Sequence, residues 1–224
     1  MSALTGKLHT EFSILREAVD RGEATVIVHY ASGNFYLAKD HPVEIICISI
    51  VDIADFNTTS FSQSDYNLDS AEDREKALLT DFFEYPGTHQ DARIVHWNMN
   101  NADYGYAAIE ARYKWLFDES PPSSFPAARM LDLDSVIEAL HGPDYAPHPK
   151  LKQLAALNKL SQRYWLQGAE EPAKATEGDL AAVQRSTSEK ARAVAKLARL
   201  LLDGDLAWIH RWGVGVLLNL VVAL

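Results

Sequence analysis

Apolar positions along the 224-residue chain fall first into a helical period, then into strands, then into a mixture of the two. Leu8, Phe12, Leu15 and Ala18 recur at spacings of three and four. That spacing predicts an amphipathic helix over residues 1–22, closed by Arg21-Gly22. Ala24–Tyr30 is β-branched and predicts a strand, and Ser32-Gly33-Asn34 a turn. Pro42 leads into a second strand over Val43–Ile53, apolar enough to suit the interior of a sheet. Phe56–Phe61 alternates and predicts a third strand paired with the second. Ser70 and Glu72 open a helix through Phe83, with Leu78, Leu79, Phe82 and Phe83 on its apolar face and Tyr85-Pro86-Gly87 as its stop.

Strands and helices then mix. Ile94–Trp97 reads as a short buried strand, followed by a helix from about Ala102 to Trp115 with Tyr106, Ile109 and Tyr113 on one face. Met130-Leu-Asp-Leu-Asp leads into a helix through Leu140, ended by His141-Gly142-Pro143. Lys150–Leu160 is a short leucine-rich helix, and Gly168–Gly178 an acidic connection. Ser186 or Ser188 caps a long helix through Leu202 with a stripe of Ala191, Val194, Ala195, Ala198 and Leu201. This order predicts an α/β domain with a mixed β-sheet over residues 23–205, preceded by the helix of residues 1–22. An apolar segment over residues 206–224 follows. Its end, Gly213–Leu224, is almost wholly apolar but shorter than the roughly 20 residues a helix needs to cross a bilayer. It reads as a tail packed on the core or on a second subunit, with membrane association as the alternative.

Composition narrows the function classes. Apolar residues at 47% and charged residues at 23% are ordinary for a soluble globular chain. A net charge of −10 excludes general attraction to phosphate backbones, so a nucleic-acid ligand would need a local basic patch or metal ions. The single cysteine, Cys47, lies in an apolar run; with no disulfide framework, a reducing and hence cytoplasmic setting is expected. Glu11, Glu17 and Asp20 interrupt any secretory-signal pattern at the N-terminus. Gly-rich phosphate loops, G-x-S-x-G elbows and Cys/His metal spacings are absent from the sequence.

The densest polar group is the junction Arg93–Tyr106, where His96, Asn98, Asn100, Asn101 and Asp103 gather between a strand and a helix. Strand ends of this kind commonly build sites in α/β domains. His29 and His96 fall on strands expected to be neighbours, so they could converge near Asp103 as a two-histidine, one-carboxylate metal set or as a hydrogen-bonded cluster with Asn98. Asp52, Asp55, Asp132 and Asp134 are further carboxylates, with Asp134 or Ser135 read as a helix cap. Trp97, Tyr104, Tyr106 and Trp115 can stack on bases, but no basic run accompanies them.

Three passages in order carry a likeness: Glu44-Ile-Ile-Cys-Ile-Ser-Ile-Val, Ile94-Val-His-Trp-Asn and Lys150-Leu-Lys-Gln-Leu-Ala-Ala-Leu-Asn-Lys-Leu. Together they resemble the DnaQ-like 3′–5′ exonucleases of the ribonuclease-H-like superfamily, over roughly Ala24–Leu202. The resemblance implies a ribonuclease-H-like sheet and four carboxylates holding two metals about 4 Å apart. The first motif falls on His29-Tyr30-Ala31, without either carboxylate. The second lands on Ala102, one residue from Asp103. The third matches Arg185-Ser-Thr-Ser-Glu-Lys-Ala, where Arg185 replaces the base and Lys190 a metal ligand. The implied site is degenerate, because cationic side chains stand where Mg²⁺ would require carboxylates.

The expectation is a non-catalytic relative that binds a partner protein or a nucleic-acid end, with no metal ligand set and no cofactor. Asp103, His96 and Asn98 are the candidates for surviving chemistry, and His29, Trp97, Arg185 and Lys190 for binding. Lys190 and Arg185 are expected in the old pocket, pairing with Asp103 or a phosphate. The alternative is an active nuclease or phosphodiesterase using Mg²⁺ or Mn²⁺, with carboxylates drawn from Asp52, Asp103, Asp132 and Asp134. The C-terminal segment is the expected contact for a partner or a homo-oligomer.

Overall fold

Five strands form one mixed sheet in the computed structural model, which describes residues 3–34, 41–100, 105–211 and 216–218. The strands are β1 (Thr25–Ser32), β2 (Ile45–Asp52), β3 (Thr58–Ser62), β4 (Arg93–His96) and β5 (Met130–Asp132), in the order β3-β2-β1-β4-β5. β2 runs antiparallel to both β1 and β3, whereas β4 lies parallel to β1 and β5 parallel to β4. β1 and β2 are the apolar runs seen in the sequence, and β2 is buried along all but its last residue. That is the signature of a central strand covered on both faces.

Alternation along the strands divides the core in two. Val26, Val28, Ile48, Ile50 and Ile94 face α2 (Ala71–Thr88) and α3 (Tyr106–Phe117), with Phe82, Phe83 and Tyr113 between. Ile27, Val51 and Val95 face the other way, towards α1 (Ala3–Asp20), α4 (Leu133–His141), α5 (Lys150–Leu157) and α7 (Leu180–Asp203). The result is a sheet between two helical layers. The first layer is clamped by a buried ion pair. Arg112 on α3 gives Nε and Nη2 to the two Glu75 oxygens on α2, at 2.9 and 2.7 Å, while the Ile45 N–H at the start of β2 donates to Glu75 at 2.6 Å.

Several boundaries differ from the sequence reading. α2 does not stop before Pro86 but carries it in its last turn; the Phe83 carbonyl accepts from the Ser123 hydroxyl, and His89 N–H closes on Tyr85 and Pro86. α5 ends at Leu157, and β5 appears where only a lead-in to a helix was expected. The acidic connection contains a helix, α6 (Glu170–Thr176). α7 begins at Leu180 with Asp179 as its cap, so Ser186 and Ser188 lie inside it rather than capping it. Gly204, at φ 83°, supplies the left-handed turn that ends α7.

The helix expected from Ala102 starts at Tyr106, and residues 101–104, including Asn101, Asp103 and Tyr104, lie outside the described residues. Most of the apolar tail lies outside them too. Its near end is held where Ile209 N–H donates to Tyr145 O at 2.9 Å, and β6 (Ile209–Arg211) pairs antiparallel with β7 (Val216–Leu218). Among the described residues no helix is long and apolar enough to cross a membrane.

Candidate functional site

The carboxyl ends of β1, β4 and β5 carry the polar residues singled out above, but the sheet separates them. β1 pairs in parallel with β4 through Val26↔Ile94 and Ile27↔Val95. Continuing that register sets His96 beside Val28, on the α2–α3 face, while His29 faces α7 with Ile27 and Ala31. The expected convergence of the two histidines does not occur, because side chains one residue out of step on neighbouring parallel strands point to opposite faces.

His96 is buried at 3% exposure. Its Nδ1 accepts the Met99 N–H at 3.3 Å and lies 3.9 Å from Asp132 Oδ1. Burial holds this imidazole below its ordinary pKa, with the Asp132 charge opposing, so it is a neutral acceptor with its proton on Nε2. Asn98 turns the chain at φ 53°, a left-handed conformation that asparagine tolerates. Its N–H donates to Asp132 Oδ1 at 2.8 Å. Asp132 also receives Asn100 Nδ2 at 2.8 Å, Asp134 N–H at 3.2 Å and Ser135 Oγ at 2.8 Å. It is therefore Asp132, not Asp134 or Ser135, that caps α4. Four donors occupy the roughly four lone-pair sites of a carboxylate, leaving none for a metal. Trp97 is half-buried and packs on the α7-face core.

The other aspartates are dispersed. Asp52 pairs with Val26 at the opposite end of β1, and its carboxylate accepts from Ala54 N–H at 2.7 Å. Asp134 accepts from the Tyr145 hydroxyl. No group of three or more metal-binding side chains occurs among the described residues.

On the α7 face the arrangement is different. His29 has a buried Nδ1 with no hydrogen-bond partner, and its pKa falls to about 3 through burial and the nearby Lys190 ammonium. Ala31 packs with Ile46 and Val183. Lys190 Nζ meets Glu171 Oε1 of α6 at 2.6 Å, with the two side chains only 12% and 11% exposed. Ser186, one turn before Lys190, donates to the same oxygen at 2.9 Å while accepting the Leu166 N–H at 3.0 Å. Lys190 thus pairs with Glu171, a residue the sequence reading passed over as part of an acidic connection.

Arg185 does not join this cluster. Five residues along one continuous helix turn the side chain by about 140°, and Arg185 is exposed beside Tyr164. Next to the cluster, beyond Ala31, a cleft of about 440 Å³ opens between Gly33, Glu44, Gln63, Arg74, Ala175 and Leu180. Compared with protein-family models and with curated proteins, the chain matches none.

Proposed function

We propose that this chain is a non-catalytic protein of ribonuclease-H-like, exonuclease-type fold that acts by binding. A strand order of 3-2-1-4-5 in which β2 alone runs against the rest supports the fold half of that reading. So does a long helix, α7, lying across the face where the resemblance puts the first and third motifs. The observation that carries the functional half is the Lys190–Glu171 pair beside His29 and Ala31. A two-metal nuclease needs several anionic oxygens converging on one point. Here the position of a ligand is taken by an ammonium whose own carboxylate already neutralises it. A dication brought near Lys190 would meet like charge, and the neutral His29 adds no anion.

The ligand of such a site is bound without a divalent metal, and a partner protein or a nucleic-acid end are its two candidate classes. Calorimetric titration with Mg²⁺ and Mn²⁺, run beside a nuclease assay on single-stranded DNA and RNA, tests the reading. No saturable metal heat and no cleavage are expected. Saturable binding together with cleavage that disappears in Asp103→Asn would restore the active-nuclease alternative.

A further inference from the structure

We propose that the outer edge of β3 and the arginine-bearing face of α7 form one docking surface, and that its occupant is an acidic segment of a partner protein added as a strand beside β3. The proposal takes up the binding-module reading and names the partner's chemistry, on a surface separate from the Lys190 cluster.

β3 ends the sheet, and among the described residues no strand pairs with its outer side. Asp52 N–H donates to Asn57 O at 3.0 Å, which fixes the phase of the β2–β3 ladder. By the alternation of antiparallel pairing, Thr58 and Ser60 turn their N–H and C=O groups outwards. The strand reads Thr-Thr-Ser-Phe-Ser and contains neither the charge nor the proline that commonly blunts an open edge.

α7 tracks this strand. Arg192 Nε donates to Thr58 Oγ1 at 2.7 Å, the Ser188 and Ser60 hydroxyls lie 2.9 Å apart, and Ser64 Oγ donates to Gln184 Oε1 at 3.1 Å. From Ser188 to Arg192 the helix rises about 6 Å while from Ser60 to Thr58 the strand advances nearly 7 Å, so the two stay in step along β3. A cleft of about 310 Å³ lies along this face, between Tyr164, Arg185, Ser188 and Arg192.

The charge of the surface selects the occupant. Arg163, Arg185 and Arg192 are exposed, and none forms an ion pair among the described residues. The nearby Glu189 carboxylate is already used, by Ser161 Oγ at 2.6 Å and Tyr164 N–H at 2.7 Å. Asp65, at the far end, accepts from Ser62 N–H and from Gln184. Three guanidiniums in a chain of net charge −10 favour an anionic ligand. A stacked nucleobase is the weaker fit, because the Tyr164 ring already carries Arg163 at 5.3 Å and Arg185 at 6.0 Å from its centroid. An extended acidic peptide uses both features: its backbone pairs with Thr58 and Ser60, and every second side chain turns towards α7.

The test is fluorescence polarisation with a labelled peptide of about ten residues alternating glutamate and threonine. Its controls are the same peptide N-methylated at alternate residues, a lysine–threonine counterpart, and oligothymidylate. Wild-type protein binds the acidic peptide. The Arg185→Glu/Arg192→Glu variant, whose far-ultraviolet circular dichroism and melting match wild type, binds it about tenfold more weakly or worse. N-methylation costs as much, because it removes the N–H groups a strand needs. Absence of peptide binding, binding indifferent to N-methylation, arginine-dependent preference for oligothymidylate, or self-association on sedimentation abolished by the same variant would each overturn the proposal. None of these outcomes alters the metal and nuclease results that decide catalysis.

Discussion

At Lys190 a nearly buried ammonium is matched by one carboxylate, that of Glu171, 2.6 Å away. The lysine is legible in the sequence, and so is the absence of carboxylates at His29 and Ala31. The partner was not legible. Glu171 is one of several acidic residues in an ordinary-looking stretch, and only the packing of α6 on α7 selects it. The pair makes a direct prediction. Lys190→Met leaves the Glu171 carboxylate with the Ser186 hydroxyl but no countercharge, and destabilises the protein by about 3 kcal/mol in urea unfolding. Adding Glu171→Leu to Lys190→Met removes the stranded charge and recovers most of that loss. A Lys190→Met variant as stable as wild type would mean the pair contributes nothing. Arg185 shows the limit of motif arithmetic: its spacing from Lys190 matches the expected motif, yet a continuous helix turns it to another face.

Between elements, capping and strand-end hydrogen bonds do what propensity cannot announce. Asp132 ends β5, caps α4 and receives the Asn98 N–H and the Asn100 amide from the turn after β4. It ties the β5–α4 corner to a turn 32 and 34 residues earlier in the chain. Asp132→Ala loses the cap and leaves the Asn98 N–H without an acceptor, for a combined cost of about 2–3 kcal/mol. Amide exchange checks the location: faster exchange is expected at Asn98 and Asp134, with the β1–β2 ladder unchanged. Equal acceleration throughout the sheet would show that Asp132 matters globally and not at this joint. The apolar faces of β2, α2 and α7 were readable because burial imposes its period on composition. The cap at Asp179 and the passage of α2 through Pro86 were not, since both depend on which groups lie opposite.

For the molecule as a whole, buried histidines link stability to pH. His29 has a folded pKa of about 3 against an ordinary value of 6.5. Below pH 6.5 the unfolded chain takes up a proton that the folded chain refuses. This contribution is therefore complete above pH 6.5 and is lost as pH falls towards 3. His96 acts in the same direction, while Glu75 and Asp134, raised by burial, oppose it. A comparison of variants isolates the first part. Between pH 6.5 and 4.5, wild type should lose about 2 kcal/mol more than His29→Gln in chemical unfolding. Parallel pH profiles for the two would refute the assignment. By itself the sequence determined the apolar strands, the amphipathic helices and the absence of carboxylates at His29 and Ala31, because hydrophobic period and residue identity are local properties. Only the tertiary structure decided that His29 and His96 part across the sheet, that Glu171 neutralises Lys190, and that β3, beside the arginines of α7, has no strand on its outer side among the described residues. Each of those depends on the direction of a side chain or the neighbour of a strand, and both are fixed by packing between residues distant in the chain.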